Sequence, residues 1–192
     1  MTDRLTDEEK ALLLRLAREA LEHGVRGEAL PPLDLTTLTP ALRAEGASFV
    51  TLTMNEQLRG CIGALEPYQP LAEDVREHAV AAALRDPRFL PVTPFELPRV
   101  RIEISRLTRP QPLLYTDPDD LLSKLIPGQD GVILRDGWRR ATFLPQVWSH
   151  LPQKEEFLNH LCLKMGASPD LWRKKHLQVE TYRVEEFHEP QP

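Results

Sequence analysis

Cysteine is scarce in this sequence, which has only two among 192 residues. Two cysteines, at positions 61 and 162, cannot build the disulfide framework that holds small secreted domains together. They also lie in different surroundings, the first between glycines and the second in an apolar helical pattern. The scarcity therefore favours a reducing compartment.

An excess of positive charge is also missing. Lys and Arg together number 24 against 29 Asp and Glu, so the formal net charge is -5. Proteins that bind nucleic acid neutralise phosphates with clustered Lys and Arg, and the only dense basic run here is 173–176. We interpret this run as a solvated helix end, so nucleic acid is not an expected partner.

No long apolar run occurs either. A membrane-spanning helix needs about 20 consecutive apolar residues, and the sequence has no such stretch. The acidic first residues lack the apolar segment of a signal peptide. We therefore expect a cytoplasmic protein without a membrane partner. The hydrophobic content of 41% is normal for a globular domain with its own core.

Glycine is also scarce, with nine glycines against 18 prolines. Two of the nine bracket a cysteine in the motif Leu58-Arg59-Gly60-Cys61-Ile62-Gly63, which we take as the centre of the candidate site. Glycine permits a positive φ and also the close approach of a neighbouring backbone. An ordinary turn and a ligand-facing loop both use these properties, so the spacing leaves both interpretations open.

Helical signals occur at four places. Thr6, with a glutamate three residues later, matches a capping box, and the first helix is predicted to stop at Gly24. A second helix is predicted over 70–85 because apolar residues recur there at helical spacing. Asp117 and the proline after it predict a short third helix. A fourth helix is predicted to end at Gly166.

Strand signals are interleaved with the helices. β-branched and aromatic residues predict a strand over 48–53, with a turn at 55–56 and a returning strand that carries the motif. Alternating residues predict further strands over 100–105 and 177–184. Asp136-Gly137 predicts the turn of a hairpin. These elements predict an α+β fold around a mixed sheet with flanking helices.

Cys61 is the sharpest chemical candidate. Its place between glycines and beside Arg59 suits an accessible, activated thiol that acts as a nucleophile or in redox chemistry. The alternative is that Cys61 is a small hydrophobic residue in a tight turn, and no histidine lies near it in the sequence. Both interpretations stay open. Cys162 falls on an apolar helical stripe, so we expect it in the core.

Three further charged positions are candidates. Arg59 can bind an anion or pair with an acidic neighbour such as Glu103, and both remain open. Asp86 and Arg88 flank a proline and, on residue types alone, indicate a helix stop with a local ion pair.

The six histidines lack the one-turn spacing of a zinc helix, so no metal and no cofactor is predicted.

Seven blocks of this sequence together resemble the AMMECR-type domain, the family of the AMME syndrome candidate protein, whose bacterial members are called AmmeMemoRadiSam system protein A. The blocks occur in the family's order and span nearly the whole chain. They are Phe49-Val50-Thr51-Leu52, Leu58-Arg59-Gly60-Cys61-Ile62-Gly63, Arg85-Asp86-Pro87-Arg88-Phe89, Glu96-Leu97-Pro98, Ile102-Glu103-Ile104-Ser105, Asp130-Gly131-Val132-Ile133-Leu134 and Arg140-Ala141-Thr142-Phe143-Leu144-Pro145-Gln146-Val147-Trp148.

The resemblance implies an α+β fold with a large and a smaller lobe, both within one domain over residues 1–192. It supplies no established reaction. It does imply partners, because family members are associated with Memo-like proteins, which resemble extradiol dioxygenases, and with a radical-SAM protein. Asp130 stands where the archaeal and eukaryotic branch tends to have histidine, which places this chain with the bacterial branch.

The resemblance also changes how the charged residues are interpreted. Asp86, Arg88 and Glu103 belong to the family pattern together with Arg59 and Cys61, so we predict a shared polar patch beside the motif. The predicted binding residues are Arg59, Gly60, Gly63, Asp86, Arg88 and Glu103, with Cys61 as the catalytic candidate.

Two functions follow as hypotheses. The leading one is an accessory protein that uses the motif 58–63, treated as a loop, to hold a small ligand or a partner segment. The alternative is an enzyme in which Cys61 attacks or relays electrons, Arg59 steadies an anionic group, and Asp86 or Glu103 moves protons.

The tryptophans bear on the oligomeric state. Trp138, Trp148 and Trp172 cannot all be assigned to one core from the pattern alone. Tryptophan is common both in cores and at interfaces, so a homodimer also stays open.

Overall fold

The structure is a computed structural model that describes residues 4–190. Residues Arg109–Val184 form one compact unit, here called the inserted unit. The described residues before and after it in sequence form the other, here called the main unit. Each unit has a hydrophobic core of its own.

Helices and strands are interleaved along the described chain. The α-helices are α1 Asp7–Arg26, α2 Pro40–Arg43, α3 Leu71–Leu84, α4 Pro118–Lys124, α5 Lys154–Lys164 and α6 Leu171–Lys174, and two 3-10 helices lie at Leu35–Thr37 and Pro145–Ser149. The strands are β1 Glu45–Met54, β2 Gln57–Gly63, β3 Gln69–Pro70, β4 Val100–Leu107, β5 Gln111–Pro112, β6 Gly131–Asp136, β7 Arg139–Phe143, β8 Gln178–Tyr182 and β9 Val184–His188. Within residues 4–190, no helix is long and apolar enough to cross a membrane.

The strands form two sheets. The main unit has the order β2-β1-β4-β9, with β3 paired to the start of β1, and the inserted unit has the order β5-β8-β6-β7. Strand β1 is antiparallel to both β2 and β4, and the pairs within the inserted unit are antiparallel as well. The α+β class is therefore confirmed, with two antiparallel sheets in place of one mixed sheet.

The position of α3 explains this difference. A helix between two strands commonly joins parallel neighbours, and α3 lies between β2 and β4 in sequence. Strand β4, however, pairs with β1 on the side away from β2. The helical crossover therefore brings no parallel strands into contact.

Helix α1 begins as predicted but ends later. Both hydrogen bonds of the capping box between Thr6 and Glu9 are present. The predicted stop at Gly24 is wrong, because the helix continues to Arg26 and is terminated by Gly27 with a left-handed φ of 72°. Gly24 serves packing instead, since a Cβ there would lie 2.9 Å from the side chain of Val80 on α3.

Two strand predictions in the inserted unit also need correction. The predicted strand 177–184 is divided at Arg183 into β8 and β9, which belong to different sheets. The hairpin turn is Gly137-Trp138 and not Asp136-Gly137, because Asp136 already pairs with Arg139. Gly137 has a φ of 60°, which suits the first central position of a two-residue hairpin turn.

The three tryptophans have different surroundings. Trp148 and Trp172 are buried in the core of the inserted unit. Trp138, at the hairpin turn, is 89% exposed. One tryptophan thus lies outside the core, and a homodimer stays a prediction.

The two faces of the main sheet differ in burial. Val50, Leu52, Ile102 and Ile104 lie on one face and are fully buried in a core that includes residues of α1 and α3. The alternate residues of β1 and β4 point to the other face and are only half-buried. They are Phe49, Thr51, Thr53, Arg101 and Glu103. The candidate site lies on this second face and at the outer edge of β2.

Candidate functional site

The six-residue motif forms most of strand β2. This confirms the returning strand of the predicted hairpin, and it shows that the motif is not a loop. Strand β2 lies at the edge of the main sheet. Leu52 pairs with Gly60 and Thr53 with Leu58, so Arg59 is an extra residue in a bulge, a feature that redirects a side chain.

Glycine is required at both motif positions because neighbouring atoms approach the backbone closely, and not because the backbone conformation demands it. Neither Gly60 nor Gly63 has a positive φ. A Cβ on Gly60 would lie 2.1 Å from the carbonyl oxygen of Ala82 in α3. A Cβ on Gly63 would lie 2.4 Å from both the Phe49 side chain and the Ser48 carbonyl oxygen. The atoms that approach these glycines thus belong to the protein's own fold.

Asp86 and Arg88 hold the main chain of Cys61 at the sheet edge. The Asp86 carboxylate accepts the Cys61 N–H at 2.8 Å, and the Arg88 guanidinium donates to the Cys61 carbonyl at 3.2 Å. The two side chains also pair with each other, with Nη2 and Oδ2 2.7 Å apart. Together they occupy the groups that a further strand would bind, which protects an exposed edge.

The contacts of the folded state shift the pKa of both Asp86 and Arg88. Asp86 is buried, and its carboxylate also accepts the Arg88 backbone N–H. The hydrogen bond from the Arg88 side chain, helped by the N–H groups of Cys61 and Arg88, holds the pKa of Asp86 well below its usual range. The same contact raises the pKa of Arg88.

Arg59 does pair with an acidic residue, one of the two alternatives left open, but that residue is Glu96 and not Glu103. The Arg59 Nε donates to Glu96 Oε1 at 2.9 Å and its Nη2 to Oε2 at 3.3 Å. Nη1 donates to the carbonyl of Leu90 at 2.8 Å. All three guanidinium nitrogens are therefore used within the fold. Sequence reasoning missed Glu96, although it lies in one of the blocks that carry the family resemblance.

The pairing of Glu96 predicts a pH-dependent stability. The hydrogen bond from Arg59, supported by those from Thr93, lowers the pKa of Glu96 from 4.5 to about 2. The unfolded state then binds the proton more readily, so this contribution is complete above pH 4.5 and is lost as the pH falls towards 2. Its size is at most about 3 kcal/mol. Glu96→Gln should flatten the dependence of unfolding free energy on pH in this window, measured by urea denaturation. A slope unchanged from wild type would contradict the assignment.

The Cys61 thiol lies on the half-buried face of the sheet. The hydroxyl of Thr51 donates to its sulfur at 3.2 Å. Thr51 pairs with Cys61 on one side and with Glu103 on the other. These three residues form a line across three adjacent strands, here called the thiol row. Thr51 was not among the predicted site residues, although it too lies in a block of the family resemblance.

Glu103 differs from the other predicted charged residues because its carboxylate makes no hydrogen bond or ion pair within residues 4–190. It is half-buried and lies two strand spacings from Cys61, roughly 10 Å. The predicted residues thus divide into the Asp86–Arg88 pair on the Cys61 main chain, the Arg59–Glu96 pair, and the thiol row.

A buried polar group that sequence reasoning missed lies between β1 and α3. Ser48 donates to the Asp74 carboxylate at 2.6 Å, and the His78 Nδ1 lies 3.2 Å from the same oxygen. All three residues are buried. The serine hydroxyl contacts the carboxylate and not the imidazole, so the order of contacts differs from that of a Ser-His-Asp nucleophile.

Asp130 has a local contact in the inserted unit. Its side chain accepts the Ile126 N–H at 2.7 Å, and its carbonyl accepts the Trp148 indole N–H at 2.7 Å.

Cys162 is buried in the core of the inserted unit, as predicted, and burial raises the pKa of its thiol. Within residues 4–190, no group of three or more His, Cys, Asp or Glu is arranged to hold a metal ion.

Comparison with known proteins assigns the family. The AMMECR1 family model matches residues 14–187. The chain belongs to the AMMECR1 family. The match covers both the main-unit motif and the inserted unit, and it confirms the resemblance drawn from the seven blocks.

Similar proteins in this family occur in archaea. A protein of Thermofilum pendens is 41% identical over 98% of this chain and 93% of its own length. Protein MK0488 of Methanopyrus kandleri is 38% identical over 100% of this chain and 94% of its own. The crystal structure of the uncharacterized protein PH0010 from Pyrococcus horikoshii has a TM-score of 0.76 and 35% identity, covering 98% of this chain and 95% of that one. The placement of this AMMECR1 protein in a bacterial branch stays a prediction.

Proposed function

We propose that this protein is a binding component that presents the thiol row to a small ligand or to a partner segment. The observation that carries the proposal is how the neighbouring side chains hold Cys61. Asp86 and Arg88 hold the main chain of Cys61, and the Arg88 guanidinium also interacts with the Cys61 side chain, while the Thr51 hydroxyl donates to the half-exposed sulfur. A rigid strand with a fixed main chain and an available side chain suits recognition.

The proposed setting is the pathway of Memo-like and radical-SAM proteins that the family resemblance implies. In that setting the ligand or partner segment contacts Cys61, Thr51 and Glu103. No activated nucleophile is needed for this role. The alternative, an enzyme that uses Cys61, would need a group that takes the thiol proton, and the thiol's hydrogen-bonding neighbour is a hydroxyl.

Alkylation of Cys61 tests the proposal. In Cys162→Ala, we expect iodoacetamide to modify the folded protein about 10-fold more slowly than a free thiol at pH 8, because the sulfur is half-buried and hydrogen-bonded. Addition of the Memo-like partner should slow the reaction further if the partner covers the thiol row. The measurement is the mass-spectrometric rate of modification across pH.

The control variant is Thr51→Val, which removes the hydroxyl but keeps the shape of the side chain. A rate that has already reached its plateau at neutral pH would indicate an activated thiolate and favour the enzyme. A thiol that reacts only on unfolding would remove Cys61 from the ligand surface and contradict this form of the proposal.

A further inference from the structure

The main unit contains a cavity of about 850 Å³ at the end of the sheet where β1 turns into β2 and β4 begins. We call it the arginine cleft because Arg18, Arg99 and Arg101 line it, together with the carboxylates of Glu56 and Glu189. Its volume is in the range of small-molecule sites. Three cations against two anions leave this cleft locally positive in a chain of net charge -5.

One of the three arginines is fully engaged in the fold. Arg18 forms a two-pronged ion pair with Glu189, with Nε and Oε1 2.8 Å apart. It also donates to the carbonyls of Leu97 and Val100. This pair neutralises itself, so Arg18 and Glu189 build the wall of the cleft, and the charge that remains comes from Arg99, Arg101 and Glu56.

Arg99 and Arg101 have hydrogen-bonding capacity to spare. Arg101 donates from Nη2 to the Glu189 carbonyl at 2.8 Å, but its Nε is buried without a hydrogen-bond partner. Arg99 is exposed, and its side chain makes no hydrogen bond or ion pair with any residue in the range 4–190. Thr53, which pairs with Arg101 across the strands, adds a hydroxyl to the lining of the cleft.

We propose that the arginine cleft binds the oxyanion group of a small molecule, a phosphate or a carboxylate. A guanidinium presents planar N–H groups that match the oxygens of these anions. The two guanidinium groups outnumber the one carboxylate of Glu56, so the cleft favours an anion.

The arginine cleft also bears on the proposed function, because it suggests which class of ligand the thiol row holds. That step rests on the proposed function. Thr51 and Thr53 lie on the same face of β1, about 7 Å apart along the strand. A ligand that is anchored by its anionic end beside Thr53 can therefore extend to Thr51 and its neighbours. The ligand class for the thiol row is then an anionic small molecule.

Titration of the whole protein with inorganic phosphate or succinate, followed by amide chemical shifts at constant ionic strength, tests the site. We expect saturable shifts around Thr53 and Arg101. Arg99→Gln and Arg101→Gln should each weaken binding by about 10-fold or more, whereas Arg43→Gln, at an exposed arginine outside the cleft, should not. Saturation by phosphate alone or by succinate alone identifies the anion.

Saturation by neither anion would overturn the proposal, as would an equal loss of binding in Arg43→Gln. Because Arg99 is exposed, Arg99→Gln should fold normally and keeps the test valid if Arg101→Gln does not fold. Cys61→Ser separates the two proposals: anion binding that survives in this variant supports the cleft whatever the alkylation of Cys61 shows.

Discussion

Gly60→Ala is expected to lower the free energy of unfolding by about 3 kcal/mol or more, near the upper end of the cost of overpacking. The added Cβ would lie 2.1 Å from the Ala82 carbonyl oxygen, which is a backbone atom of α3 and cannot rotate away. Either β2 or α3 must shift. Thermal unfolding should show a decrease in Tm of roughly 10 °C.

Gly24→Ala is the matched control. Its Cβ would also be close to a neighbour, 2.9 Å from Val80 Cγ1, but that neighbour is the end of a side chain. Alanine also stabilises a helix interior relative to glycine by about 1 kcal/mol, so we expect a change within about 1 kcal/mol. Equal stability of Gly60→Ala and wild type would show that the strand does not approach α3 so closely.

Asp86→Asn is expected to lower the free energy of unfolding by roughly 2–3 kcal/mol at pH 7, because it replaces charge-assisted hydrogen bonds to Cys61 and Arg88 by weaker ones. Urea denaturation measures this loss. The depressed pKa of Asp86 means that its carboxylate stabilises the folded state above about pH 4 and loses this effect as the pH falls further. The loss caused by Asp86→Asn should therefore shrink at low pH.

Asp7→Asn is the control for Asp86→Asn, because it also replaces one carboxylate by an amide. Asp7 lies in the first turn of α1 with an exposed side chain, so its replacement should change stability by about 0.5 kcal/mol or less. Asp86→Asn should also speed the alkylation of Cys61, because the edge of β2 loses its cover. A variant as stable as Asp7→Asn at pH 7 would contradict the role of Asp86 at the sheet edge.

The elements with local signals were predictable from the sequence. The capping box at Thr6, the turn at 55–56 and the alternating strand from residue 100 all depend on groups within a few residues of one another. Their boundaries were less predictable. Gly24 satisfies the residue type of a helix stop, and only the packing of Val80 against it shows why a glycine stands inside the helix.

The candidate site was predictable in its location but not in its contacts. The residues of the motif and the charged residues Asp86 and Arg88 do meet, yet they meet through the main chain of Cys61. Arg59 uses Glu96, which lies 37 residues further along the chain, and not Glu103. The bulge at Arg59 aims its side chain away from the row that contains Glu103.

The α+β class, the family and the position of the motif on a returning strand could be predicted, because they follow from local periodicity and from residue types in order. Three contacts became visible only in the fold: Gly60 faces a helix backbone, Asp86 covers the edge of β2, and Thr51 and Glu103 share a row with Cys61. These contacts depend on strand order and register. A shift of one residue in register moves every side chain to the opposite face, and no local pattern in the sequence specifies which distant strand becomes the neighbour.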